Sequence, residues 1–261
     1  MRRPLSLPDS TAQEQFHVVL VAPGDSLNVG AVARAMTNLG FVHLHLVAPP
    51  RYDPARAAIT ACWATDLLER AQIHDTLHAA LEPMEQVVGF TARHGKNRPR
   101  HVLLPDWIDS IAEGPPARTA LLFGAEDDGL RREHLAHCHW LVRIPSSVEN
   151  PSFNLAQSVL LTLFELTRQH WPETARSTRQ LPTSGNFYQL EALVDEVLTR
   201  CRFYKDGTPE PVPDMIKHLL RRTDPDSREM QILLGIFGKI NRALAGKVPV
   251  AQPAGKEEGE G

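Results

Sequence analysis

The sequence predicts an α/β fold, a parallel sheet with helices on both faces, followed by a small helical C-terminal extension. Three observations carry that expectation. Strand and helix signals alternate through the first two thirds of the chain. The intervening helices leave room for right-handed crossovers, which set neighbouring strands parallel. After Trp171 the composition turns polar and only helical patterns follow. At 261 residues the chain is long enough for one sizeable domain and a smaller second unit.

Taken in order, His17 to Ala22 is a short β-branched run closed by the turn residues Pro23, Gly24, Asp25 and Ser26. Asn28 then opens a helix in which Val29, Val32, Ala33 and Met36 share one face, with Gly40 as its C-cap. Phe41 to Val47 alternates apolar residues with histidine, as a strand with one polar face would. A helical region covers Ala57 to Gln72 and a short one lies near Leu77. Gln86 to Thr91 is the third strand, Asp106 to Ala112 a helix, and Thr119 to Phe123 the fourth strand. Trp140 to Ile144 is the fifth, and it feeds an amphipathic helix whose apolar face is Phe153, Ala156, Val159, Leu160, Leu163 and Phe164. Ser152 or Asn150 can cap that helix, with Pro151 at an initial helical position. The division is a flexible N-terminus over 1–15, the main domain over 16–170, a linker over 171–186, a helical extension over 187–246 and a disordered tail over 247–261. The extension carries helical patterns over Phe187 to Arg202, Met215 to Leu220 and Arg228 to Leu244, the last two split by Asp224 and Pro225. No internal repeat is present.

Composition narrows the function classes. A net charge of −3 and a pI near 6.5 do not advertise nucleic-acid binding by the whole molecule, so an RNA or DNA partner needs a local basic patch. Three scattered cysteines, Cys62, Cys138 and Cys201, argue against a disulfide framework. The N-terminal segment has no apolar core of a signal peptide, and no run approaches a membrane span. A soluble, cytoplasmic protein is expected.

Ligands of parallel sheets bind beyond the carboxyl ends of the strands, and the unusual polar residues lie there. NVGAVARAM follows the first strand, with Asn28 at the helix start. Arg34 points about 150° from the Val29/Val32/Met36 face, at 100° per residue; alone, it would read as a solvated helix arginine. FGAEDDGL follows the fourth strand, and its Gly124 lets a ligand approach the backbone closely. Alone, it is an acidic turn. The third element is the loop NPSFN, with Asn150, Ser152 and Asn154 at a helix N-terminus that favours electron-rich ligands. His134, His137, Cys138 and His139 look like metal ligands but lack paired zinc spacing, and no metal is expected. APGDS lacks the Gly-Lys-Ser/Thr ending of a P-loop.

In that order, NVGAVARA, FGAEDDGL and NPSFNLAQSV resemble the three motifs of the SpoU-type (SPOUT) RNA ribose 2′-O-methyltransferases, over about residues 16–168. GFTAR, Gly89 to Arg93, is similar to a segment of the branch that methylates the anticodon loop of tRNA. The resemblance implies a C-terminal trefoil knot in the sheet, with S-adenosyl-L-methionine held in it largely by backbone groups. It implies a cofactor wall of Phe90, Thr91, Ala92, Gly124, Ile144, Pro151, Ser152 and Phe153. Phe90, Pro151 and Phe153 depart from the commoner residues at their positions. Arg34 matches the arginine that acts on the RNA side, as a base or through charge and positioning; a guanidinium is an awkward base because it scarcely deprotonates. Asn28, Glu126, Ser152 and Asn154 match the remaining polar positions. Family members are usually homodimers in which Arg34 of one subunit would complete the other's site. Arg93, Lys96, Arg98 and Arg100 form the basic patch that would meet RNA, with Lys217, His218, Arg221 and Arg222 as a second cluster. Transfer to a ribose hydroxyl of tRNA is the implied activity. Ribosomal RNA as substrate, a knotted RNA-binding relative without turnover, and a doubly wound nucleotide sensor are the alternatives.

Overall fold

The computed structural model describes residues 13–92, 101–111, 118–147, 149–168, 180–204 and 211–245. Residues 1–12 of the expected flexible N-terminus, residues 171–179 of the expected linker, the expected tail and the basic run Arg93, Lys96, Arg98 and Arg100 lie outside them. The strands are β1 (Phe16–Val21), β2 (His43–Val47), β3 (Gln72–His74), β4 (Gln86–Phe90), β5 (His101–Leu103), β6 (Thr119–Phe123) and β7 (Trp140–Arg143). They form one sheet in the order β3-β2-β1-β6-β4-β7-β5, with every pair parallel. Two of the seven were not expected. β3 and β5 are three residues each and sit at the two edges, too short to show a period in sequence.

Helices cover both faces because β1, β4, β6 and β7 are apolar on both, as interior parallel strands must be. On one face α1 (Ser26–Asn38), α2 (Pro54–Ala61), α3 (Thr65–Glu69), α5 (Leu104–Ser110) and α7 (Leu155–Arg168) bury Val32, Met36, Trp107, Val159 and Leu163 against Val18, Leu20, Val88 and Leu121. On the other, α4 (Leu77–Leu81) and α6 (Arg132–Leu135) bury Leu81 and Leu135 against Val19, Val87, Leu122 and Leu141. The single helix expected over Ala57 to Gln72 is in fact α2, a 3-10 turn at Cys62–Ala64, and α3, with Gln72 already in β3. The interruption is local: Cys62 ends α2 at φ 57°.

The C-terminal helices α8 (Ser184–Arg200), α9 (Pro211–Arg222) and α10 (Ser227–Ala245) share a small core of Phe187, Leu190, Val194 and Met230. α8 starts three residues before the expected Phe187, because Thr183 caps it in a reciprocal pair with Asn186. Its first turn is tied to the main domain, with the Ser184 N–H donating to the Met84 carbonyl at 2.7 Å. Arg221 on α9 pairs with Glu191 on α8 at 2.9 Å and donates to the His137 carbonyl. Arg221 is only 3% exposed, so the second basic cluster proposed from sequence loses its central cation to this buried pair. Among the described residues no helix is long and apolar enough to cross a membrane.

The alternation in FVHLHLV marks an internal face. His45 is 3% exposed and lies in a row of imidazoles across β1, β2 and β3. His17 Nδ1 meets His45 Nε2 at 2.9 Å, His45 Nδ1 meets His74 Nε2 at 3.0 Å, and His43 stacks on His17 at 4.4 Å.

Candidate active site

The carboxyl ends of β1, β4, β6 and β7 open onto a single region. α1 begins at Ser26 with Asp25 as its N-cap, the Asp25 carboxylate accepting from the Leu27 N–H at 3.0 Å. That bond, together with the nearby Arg56 guanidinium, holds the Asp25 carboxyl below its usual range. Asn28, expected to open the helix, is therefore its third residue. The helix ends in a Schellman arrangement, with Gly40 N–H on Thr37 and Phe41 N–H on Met36.

After β6 the chain doubles back, the Gly129 N–H closing on the Ala125 carbonyl at 2.8 Å. A side chain on Gly124 would overlap the backbone of Gly129 and Leu130. The close approach inferred at Gly124 is thus made first by the chain's own loop. That loop aims Glu126 at the turn after β1. Glu126 Oε2 accepts from the Gly24 N–H at 2.8 Å, and Oε1 accepts from Asn28 Nδ2 at 2.7 Å. Asn154 Nδ2 in turn donates to Asn28 Oδ1 at 3.0 Å. Asn154 also caps α7, its Oδ1 accepting from Ala156 N–H at 2.9 Å and from Gln157 N–H. The cap is therefore Asn154, and neither Ser152 nor Asn150 does this work; α7 starts at Leu155, which puts both too far upstream. Three loops distant in sequence are joined through Glu126, Asn28 and Asn154.

Beside this network lies a cavity of about 490 Å³. Its wall contains Phe90, Thr91, Ala92, Gly124, Ile144, Pro151, Ser152 and Phe153, all eight residues of the expected cofactor wall, together with Glu126. Asp127 of the FGAEDDGL turn also lines it, as do Ala125, Arg143 and Ser158, none of which was expected in the cofactor wall. Arg143 could have been suspected, as the one charge in the apolar run Trp140 to Ile144. Phe90 forms the floor, stacked on Phe123 with ring centres 4.5 Å apart. The Thr91 N–H donates to the Val142 carbonyl at 3.0 Å, which ties the end of β4 to β7.

Arg34 is exposed and stands apart from this wall. Its guanidinium lies over the Trp63 ring at 4.7 Å, and Nη1 is 3.5 Å from Cys62 Sγ. The histidine and cysteine group near α6 is engaged with backbone: His134 Nδ1 accepts from the Arg131 N–H and His139 Nδ1 from the Val87 N–H. Burial pushes the Cys138 thiol up to about 12.

Residues 15–164 match the SpoU rRNA Methylase family. The chain belongs to that family. Its curated relatives include the tRNA (cytidine/uridine-2′-O-)-methyltransferase TrmJ of Citrobacter koseri, 33% identical over 242 residues that cover 90% of this chain and 99% of the relative. The enzyme of the same name from Klebsiella pneumoniae is 32% identical over 244 residues, covering 90% and 99%. The crystal structure of TrmJ from Z. mobilis ZM4 shares the fold, with a TM-score of 0.76 over 86% of this chain and 98% of that one at 23% identity. The SpoU match ends inside α7, so the C-terminal helices lie outside the family match, and the alignments with the two relatives, at 90% of the chain, extend beyond it.

Proposed function

We propose that this protein transfers a methyl group from S-adenosyl-L-methionine to a ribose 2′-hydroxyl of tRNA, in the anticodon loop, as a cytoplasmic homodimer whose sheet carries a trefoil knot at its C-terminal end. The observation that supports it most is the single cavity bearing all eight wall residues beside the Glu126–Asn28–Asn154 network. Relatives aligned over nine tenths of the chain and named for this activity support the substrate class.

The cavity suits S-adenosylmethionine by size and chemistry. Sites for ligands of that bulk measure roughly 300–1,000 Å³ and are mostly apolar with a few convergent polar groups. Here Phe90, Ile144 and Phe153 supply apolar wall, and the strand ends supply backbone donors and acceptors. When bound, the cofactor supplies an electrophilic methyl, so the chain needs no covalent nucleophile. What the chain must do is hold the ribose hydroxyl in line and let its proton leave to solvent or a neighbouring phosphate oxygen as the new O–C bond forms. The charge on the oxygen is then negative, and a nearby cation stabilises it. Ser152, exposed on the cavity wall, binds that hydroxyl. Asn28, held by Glu126, and Asn154, bonded to Asn28, keep the surrounding loops in register. A guanidinium keeps its proton at neutral pH, so Arg34, contributed by the second copy of the chain, acts through charge on the neighbouring phosphate or the oxygen. Arg93, Lys96, Arg98 and Arg100, next in sequence after the Phe90–Ala92 wall, bind the RNA backbone.

The test is transfer of radiolabelled methyl from S-adenosylmethionine to bulk tRNA and, separately, to ribosomal RNA, followed by nucleoside analysis. A labelled 2′-O-methyl nucleoside from tRNA alone is expected. Label in ribosomal RNA alone would keep the chemistry and overturn the substrate, and absence of cofactor binding would overturn the transferase reading itself.

A further inference from the structure

Six arginines in the described residues, Arg56, Arg131, Arg132, Arg168, Arg200 and Arg221, are paired with a carboxylate. Arg34 is not. Among the described residues it has no acidic partner, and what holds it is the face of Trp63 with Cys62 Sγ beside it. The difference matters chemically. A carboxylate takes up the in-plane N–H donors of a guanidinium and cancels its charge. An aromatic face attracts the cation without cancelling its charge, and here only an Nη1–H is engaged elsewhere, on Cys62 Sγ, which leaves the remaining donors available. We propose that Trp63 is the positioning residue for Arg34, holding the guanidinium oriented while leaving its charge and remaining donors for the RNA.

The surrounding chain is built to present that ring. Trp63 is 64% exposed, between the fully buried Ala61 and Ala64. Cys62 turns the chain at φ 57°, ending α2 and starting the 3-10 turn that carries the indole outward. The spacing between α1 and α2 is fixed one turn before Arg34. A side chain on Gly30 would overlap the Ala57 carbonyl, and Thr60 Oγ1 donates to the Leu27 carbonyl at 2.7 Å. The helix that carries Arg34 and the helix that leads to Trp63 are thus locked backbone to backbone. An exposed arginine side chain otherwise samples many rotamers, and its ordering opposes any step that needs it in one place.

The inference rests on the reading that Arg34 acts on the RNA during methyl transfer. The experiment uses the full chain, S-adenosylmethionine and unmodified tRNA transcript, with Trp63→Phe, Trp63→Tyr, Trp63→Leu and Arg34→Ala compared with the parent. Trp63→Leu keeps apolar bulk and loses the aromatic face; its kcat is expected to fall about two- to fivefold, the range for an exposed cation–π contact. KM for tRNA, cofactor affinity, oligomeric state and Tm should stay near the parent values. Trp63→Phe and Trp63→Tyr should recover most of kcat. Equal losses in Leu, Phe and Tyr variants, an unchanged kcat in Trp63→Leu, or a loss confined to KM would overturn the proposal; the last would make Trp63 a docking surface for RNA. Full activity in Arg34→Ala would instead remove the role of Arg34 itself, a separate failure that also ends the proposal.

Discussion

At the scale of single residues, Asn154 carries two jobs that substitution can separate. Its Oδ1 caps α7 and its Nδ2 reaches Asn28. Asn154→Ala loses both, so Tm should drop by about 2–4 °C, the equivalent of ~1 kcal/mol for a cap in a chain of this size. Asn154→Asp keeps the capping oxygen and cannot donate to Asn28 Oδ1. It should hold Tm near the parent value while kcat falls about fivefold, on the order of one hydrogen bond. Differential scanning fluorimetry and methyl-transfer kinetics on both variants check this; equal Tm losses would mean that the cap is not what the carboxamide oxygen provides. The site was legible at this scale as residue types and order, because NVGAVARA, FGAEDDGL and NPSFN each follow a strand end. Which of Asn150, Ser152 and Asn154 caps was not legible. Asparagine and serine both cap well, and only the backbone position of Leu155 decides between the three residues. Trp63 was hidden for a similar reason, since a tryptophan inside a helical pattern reads as core until the turn at Cys62 shows that it faces out.

At the scale of elements, the C-terminal helices α8 and α9 are joined to each other by a buried ion pair, whose arginine also donates to the His137 carbonyl of the main domain. Glu191 is 8% exposed and Arg221 3%. Burial pushes the Glu191 carboxyl up, and the Arg221 guanidinium pulls it back. Removing one partner leaves the other charged and buried, which typically costs about 3–5 kcal/mol, whereas replacing both with apolar groups is often near neutral. Arg221→Met alone should therefore destabilise the protein by about that amount, and adding Glu191→Leu should recover most of it. Urea unfolding of the single and double variants measures the recovery; two additive losses would mean that the pair is not coupled. None of this could be read from LLRR, which in sequence is an ordinary basic helix end. Strands β1, β4, β6 and β7 were legible because each is an apolar run of at least three residues. The edge strands QIH and HVL were not, since three residues cannot establish alternation and their pairing is supplied by β2 and β7.

At the scale of the whole molecule, buried histidines make the fold sensitive to acid. Burial, then neighbouring imidazoles, lowers His17 to about 3 and His45 to about 4. Burial, then Arg221, lowers His137 to about 4. His17, His45 and His74 form a chain of ring-to-ring hydrogen bonds, in which each contact needs one proton between two nitrogens. Two neighbours cannot both be cationic without setting N–H against N–H and charge against charge. The unfolded chain carries no such restriction and takes up protons near the free histidine value of about 6.5. Between that pH and about 4 the unfolded state binds more protons than the native state, so unfolding becomes easier as pH falls. The stabilisation is fully present above about pH 6.5 and is lost as pH drops toward the native values of His45 and His137. Each group can contribute at most about 1.4 kcal/mol per pH unit across that window, and less where water reaches the ring. Thermal unfolding followed from pH 7.5 to pH 4.5 should show Tm falling steadily below about pH 6.5. Glutamine at His45 can bridge the same neighbours without titrating, so His45→Gln should flatten that fall even if it lowers Tm at pH 7.5. A parallel decline in parent and variant would place the acid sensitivity elsewhere and leave the row of imidazoles a packing feature of the sheet.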